Sequence, residues 1–185
     1  MNPWGKNRLD SFQRLPIGIT LQSYLFDNHP NEIELPAKRT GAIKNVVITS
    51  LPVLFTKEDS QAYIDKIIKG ENNGLLVHYI CSMASDIHIL DDSRCWIRKG
   101  KVHDDSIAIC AVIGGIGAEG VGVPTMFNMV AFQSAAKIAA YVMYKNKLTS
   151  DCLKRTTDCP EFMTSRWKEF KWIVNDQLKK LTGKK

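Results

Sequence analysis

Short β-branched runs bounded by turn residues alternate along this chain with longer stretches of helical spacing. Asn45–Thr49 is β-branched, short and stopped by Pro52, the pattern of a buried strand. From Lys57 to Lys69, Ile64, Ile67 and Ile68 share one helical face, and Gly70 supplies the stop. Asn72-Asn73-Gly74 marks a turn. An apolar strand over Leu75–Cys81 follows, then strand, turn and strand over Asp86–Arg98. Ser106–Ile113 reads as the central strand and leads into a glycine-rich loop, Gly114 to Gly122, that ends at Pro124. Apolar residues keep helical spacing from Thr125 to Lys147, where Ala135, Ala136, Ala139 and Ala140 permit close approach to a sheet. A last helix is expected over Glu161–Leu181, with Trp167, Phe170, Ile173 and Val174 inward and its lysines outward.

This order predicts an α/β fold in which a mixed central β-sheet is flanked by helices. Residues 1–42 read differently. Pro3, Pro16, Pro30 and Pro36 punctuate them, and only Ile17–Leu21 suggests an edge strand. They are expected to form an irregular N-terminal extension that serves a partner, leaving residues 43–185 as the domain.

Composition narrows the picture. The 185 residues suit one domain with its own core, and 44% hydrophobic with 24% charged residues is ordinary for a globular protein. No apolar run reaches the length of a membrane span. The N-terminus has no apolar signal-peptide core, so the expectation is synthesis in the cytoplasm, with virion association a further possibility. Five cysteines at unpatterned positions argue against a disulfide framework. Of the formal net charge of +6, the last 25 residues carry seven Lys/Arg against three Asp/Glu. A basic C-terminal helix of this kind is a candidate contact for nucleic acid.

Two stretches carry chemistry. Ser106-Ile107-Ala108-Ile109 runs toward Gly114-Gly115, and Asp158-Cys159-Pro160 stands ahead of Arg166-Trp167. In this order they resemble the N-acetylmuramoyl-L-alanine amidase fold of phage lysozyme-amidases and peptidoglycan recognition proteins. The resemblance implies a zinc ion held by two histidines and a cysteine, with water in the fourth place, poised to attack an amide. It matches Cys159 to the cysteine ligand, Asp151 (eight residues earlier) to the second histidine and Thr49 to the first. Val77 stands where a catalytic tyrosine is expected, and Thr157 and His103 match two further positions of the pattern. Thr49, Val77, His78, His103 and Thr157 are thereby candidates for a ligand groove. Asp151 and Cys159 are the remnant metal ligands, and Cys152, Cys159 and His78 form an alternative zinc set.

The resemblance therefore implies a catalytically degenerate amidase-fold protein. Such a protein binds peptidoglycan or serves as a structural part of a phage-like particle, and needs no cofactor. Two alternatives stand beside it: an active zinc amidase with altered ligands, and a basic regulator that binds nucleic acid or a polymerase.

Overall fold

The computed structural model describes residues 11–50, 60–71, 74–82, 85–113 and 126–183. Trp4, the Gly114–Pro124 loop, Pro52, Asn72-Asn73 and the first residues of the helix expected from Lys57 lie outside the described residues.

Seven strands form one sheet: β1 (Ser11–Arg14), β2 (Thr20–Ser23), β3 (Asn45–Ser50), β4 (Tyr79–Cys81), β5 (Asp86–His88), β8 (Ser106–Ala111) and β9 (Leu153–Arg155). Their order across it is β1-β2-β5-β4-β8-β3-β9. β6 (Trp96–Arg98) and β7 (Lys101–His103) form a separate hairpin. The pairs β4–β8, β8–β3 and β3–β9 are parallel, while β1–β2 and β4–β5 are antiparallel. The sheet is mixed, and helices flank it, as expected.

β8 lies between β4 and β3 and is buried along its whole length, which explains its run of small and β-branched residues. One face of the sheet presents Val46, Ile48, Ile107 and Ile109 to α2 (Met126–Lys145) and α4 (Trp167–Thr182). Ala135, Ala136, Ala139 and Ala140 of α2 are fully buried there, so the helix approaches the strands closely. The other face presents Ile80, Ala108 and Cys110 to α1 (Ser60–Ile68) and to the segments around Phe26 and Trp96.

The expected C-terminal helix is broken in two. α3 (Glu161–Ser165) ends at Arg166, whose φ of −101° and ψ of 15° are not helical. The turn lets Phe162 and Met163 of α3 and Phe170 and Val174 of α4 all reach the same core. Phe170 is fully buried, edge-on to Phe132 at 5.2 Å and stacked on Trp167 at 5.1 Å. Phe170→Ala is expected to cost about 3–5 kcal/mol, measured by chemical denaturation, because it empties an aromatic-sized space in a packed core.

The N-terminal segment corrects the reading from sequence. Residues 11–42 are not an irregular extension. β1 and β2 extend the sheet beyond β5, and Leu15, Ile17, Ile19 and Leu21 belong to the main core. Tyr24 and Phe26 are buried against the opposite face. Gly18, at φ of 78°, makes the turn that brings β2 back along β1. Arg39 anchors the end of the segment by donating to the carbonyls of Asp92, Arg94, Asp104 and Ser106. Pro16, Pro30 and Pro36 lie between these pieces, where no ladder hydrogen bond is needed, and Pro3 lies outside the described residues.

Candidate functional site

The C-terminal ends of β3 and β9 lie side by side. Their register pairs Val46 with Leu153, Val47 with Lys154 and Ile48 with Arg155. The next step carries Thr156 alongside Thr49, and the Thr156 N–H donates to the Ile48 carbonyl at 2.9 Å. A tight turn then returns Cys159 to the same point. The Thr156 hydroxyl lies 3.4 Å from Thr49 Oγ1 and 3.4 Å from Cys159 Sγ, and the thiol reaches the Ile48 carbonyl at 3.7 Å. All three side chains are buried, as is the hydroxyl of Ser50, which has no hydrogen-bond partner among the described residues.

The centre is thus Thr49, Thr156 and Cys159. Thr156 was not among the residues expected from sequence. Asp151 is not part of the centre: it is exposed in a 3-10 turn, Ser150–Cys152, ahead of β9. Counting eight residues back from Cys159 overshoots the strand, whereas hydrogen bonding to β3 selects the residue that follows β9. The signal available in the sequence was a threonine at the end of each of two short β-branched or basic strands.

Burial pushes the Cys159 thiol up, against the Thr156 hydrogen bond and the charge of Arg155. Two neutral hydroxyls beside a single cysteine do not fit zinc, which takes thiolate, imidazole and carboxylate donors. Among the described residues no group of three His, Cys, Asp or Glu is arranged to hold a metal ion. The alternative set fails on geometry as well. Cys152 Sγ lies 3.8 Å from Thr149 Oγ1, at the far end of β9 from Cys159, and His78 is committed elsewhere.

His78 is fully buried, and both ring nitrogens are used. Nδ1 accepts from the Ala108 N–H at 3.0 Å, so the proton sits on Nε2, which faces the Arg94 carbonyl at 3.0 Å. The ring stitches β4 to β8 and to the loop before β6. Burial is the main influence that lowers its pKa to about 4, aided by the charges of Arg39 and His88. Val77 is buried on the same side as α1, and Thr49 is buried at the centre itself. These three do not line a groove. His103 stacks on Trp96 at 4.3 Å in the β6–β7 hairpin, and Thr157 is exposed in the turn before Cys159. Beside Thr157, Asp158 pairs with Arg98 and, at 3.3 Å, with Lys99, tying that turn to the hairpin. His103 and Thr157 therefore keep contact with solvent, unlike Thr49, Val77 and His78.

A second group, the half-buried Asp86, opposes His78 in its dependence on pH. Burial raises Asp86 to about 6, against hydrogen bonds from Ser134 and Cys81. Its contribution to stability is full below about pH 3.8 and is lost as pH rises through 6. His78, held neutral, lowers stability as pH falls from about 6.5 through 4. Each shift amounts to about 3 kcal/mol, so acidification from pH 7 to 4 is expected to leave the wild-type protein nearly level. In Asp86→Asn the His78 loss is uncovered, and stability should fall by about 3 kcal/mol over that range. Denaturant titrations at the two pH values check this. A level profile in the variant means that His78 is not held neutral.

No protein-family model matches the chain, and no curated protein matches it by sequence. Solved structures match it in fold. The PlyG catalytic domain superposes with a TM-score of 0.63 at 14% identity, covering 85% of this chain and 94% of that one. The hydrolase AmiA of Staphylococcus aureus, solved in complex with its ligand, gives 0.66 at 12% identity over 89% of this chain and 85% of its own. PlyL gives 0.61 at 13% identity, covering 82% and 94%. Coverage of most of both chains, together with the mixed seven-stranded sheet, gives this protein the amidase fold of phage endolysin and amidase catalytic domains.

Proposed function

We propose that this chain is a catalytically degenerate amidase-fold protein that binds cell-wall peptidoglycan without cleaving it. The observation that carries the reading is the donor set at the strand ends. The resemblance places metal ligands at Thr49 and Cys159, and the register adds Thr156 to them. Without imidazole or carboxylate there, the one cysteine among these three is too small a donor set to hold zinc, and a water beside them gains no activation for attack on an amide. The fold is retained, and His103 and Thr157 keep contact with solvent on it, which supports binding of a wall fragment. The solved neighbours, which include an endolysin of Bacillus subtilis and the hydrolase AmiA in complex with its ligand, support a wall-derived ligand class.

The test uses purified peptidoglycan sacculi. The protein is expected to sediment with them while releasing no stem peptide, assayed by chromatography of the soluble fraction. Release of peptide with stoichiometric zinc favours an active amidase. Failure to sediment removes the wall-binding reading and leaves a role in particle assembly.

A further inference from the structure

The outer side of α4 carries an arrangement that wall binding does not use. Trp172 is 68% exposed, although an indole is among the costliest side chains to leave in water. Lys168, Lys171, Asn175 and Lys179 are exposed with it. At 3.6 residues per turn these five side chains fall within about 100° of the helix circumference and span about 16 Å along it. Among the described residues the three lysines make no ion pair. The carboxylates of α4 lie beyond Trp172 on the other flank, and each is already paired: Glu169 with Arg166 at 2.9 Å, and Asp176 with Lys180 at 2.6 Å. The exposed strip is therefore purely cationic, with one aromatic ring set in it.

We propose that this strip binds single-stranded nucleic acid, with the lysines on phosphates and a base stacked on Trp172. Charge complementarity selects a polyanion, and the ring selects one that offers flat aromatic faces. Cationic tracks with an interspersed aromatic are how single strands are held without regard to sequence. A duplex keeps its bases stacked on one another and leaves the indole without a partner. An anionic membrane suits the lysines, but a helix lying on lipid needs a broad apolar face to insert. The apolar face of α4 is already spent on the core through Phe170 and Val174, both fully buried.

The experiment uses the full chain and a fluorescein-labelled 20-mer of thymidylate, followed by anisotropy across a salt series. Binding is expected at low salt and should weaken steeply as salt rises. Trp172→Ala should weaken it about tenfold or more while leaving the salt slope unchanged. The triple change Lys168→Gln, Lys171→Gln and Lys179→Gln should flatten the log–log slope by about two units, near 0.7 for each phosphate that is no longer neutralised. A matched triple on other surfaces, Lys44→Gln, Lys101→Gln and Lys147→Gln, removes the same charge and should leave the slope close to wild type. All these side chains are exposed, so an unchanged thermal transition is expected throughout. The proposal is overturned by an absence of binding at low salt, by equal effects of the two triples, or by binding indifferent to Trp172→Ala. Retention on vesicles of anionic lipid without any affinity for the oligonucleotide overturns it in favour of a membrane surface.

Discussion

Replacing Thr49 and Thr156 together by histidine is expected to yield a protein that keeps about one equivalent of zinc through dialysis, where the wild-type chain keeps less than about a tenth. The two hydroxyls and the Cys159 thiol already converge, each neighbour 3.4 Å from the next along the Thr49–Thr156–Cys159 line. What they lack is donor strength, since a neutral hydroxyl does not displace water from zinc. Two imidazoles would complete a His, His, Cys set with an open fourth position. The larger rings overfill a buried site, at a cost of about 1–3 kcal/mol each. Zinc binding to a set of strong donors is worth about 10–16 kcal/mol and exceeds that cost. Metal analysis reports the stoichiometry, and the thiolate-to-cobalt absorption of the cobalt-loaded variant reports whether Cys159 is a ligand. Stoichiometric zinc in the wild-type protein would show that the chain keeps other ligands. A double variant that folds yet stays metal-free would show that the strand ends do not have the geometry of a metal centre.

The second large effect concerns the N-terminal segment. Deleting residues 1–26 should leave a chain with no cooperative thermal transition, recovered mainly as aggregate. The deletion removes Leu15, Ile17, Ile19, Leu21, Tyr24 and Phe26, none more than 7% exposed. At about 1.5–3 kcal/mol for each buried side chain, the loss is roughly 9–18 kcal/mol. Single domains are stable by only about 5–15 kcal/mol. The deletion also strips β2 from β5, leaving β5 as an unprotected edge open to intermolecular pairing. Circular dichroism with a thermal scan decides the matter. A soluble truncated protein that melts cooperatively would restore the segment to the status of an appendage.

The parallel core was legible from sequence because its signals are local. A buried parallel strand must be apolar on both faces, so β3 and β8 announce themselves as unbroken runs. A helix packed on a sheet must be apolar at a fixed period, as α2 and α4 are. The resemblance drew attention to Thr49 and Cys159, and the Thr156 hydroxyl lies 3.4 Å from both at the strand ends. The segment before β3 was misread because its four-residue strands are too short to show a period, and pairing with β5 is what makes them strands. The identity of the third residue at the centre was likewise a tertiary decision. Spacing along the chain favoured Asp151, but position there follows from the hydrogen-bonded register of β9 on β3, which carries Thr156 to Thr49. His78 stood as a groove candidate, one polar residue in an apolar strand, and the packing of β8 and the Arg94 loop around it makes its ring a buried fastener. Alternation and period depend on neighbours in sequence. Register and enclosure depend on which distant segments meet, and the chain discloses these only once it has folded.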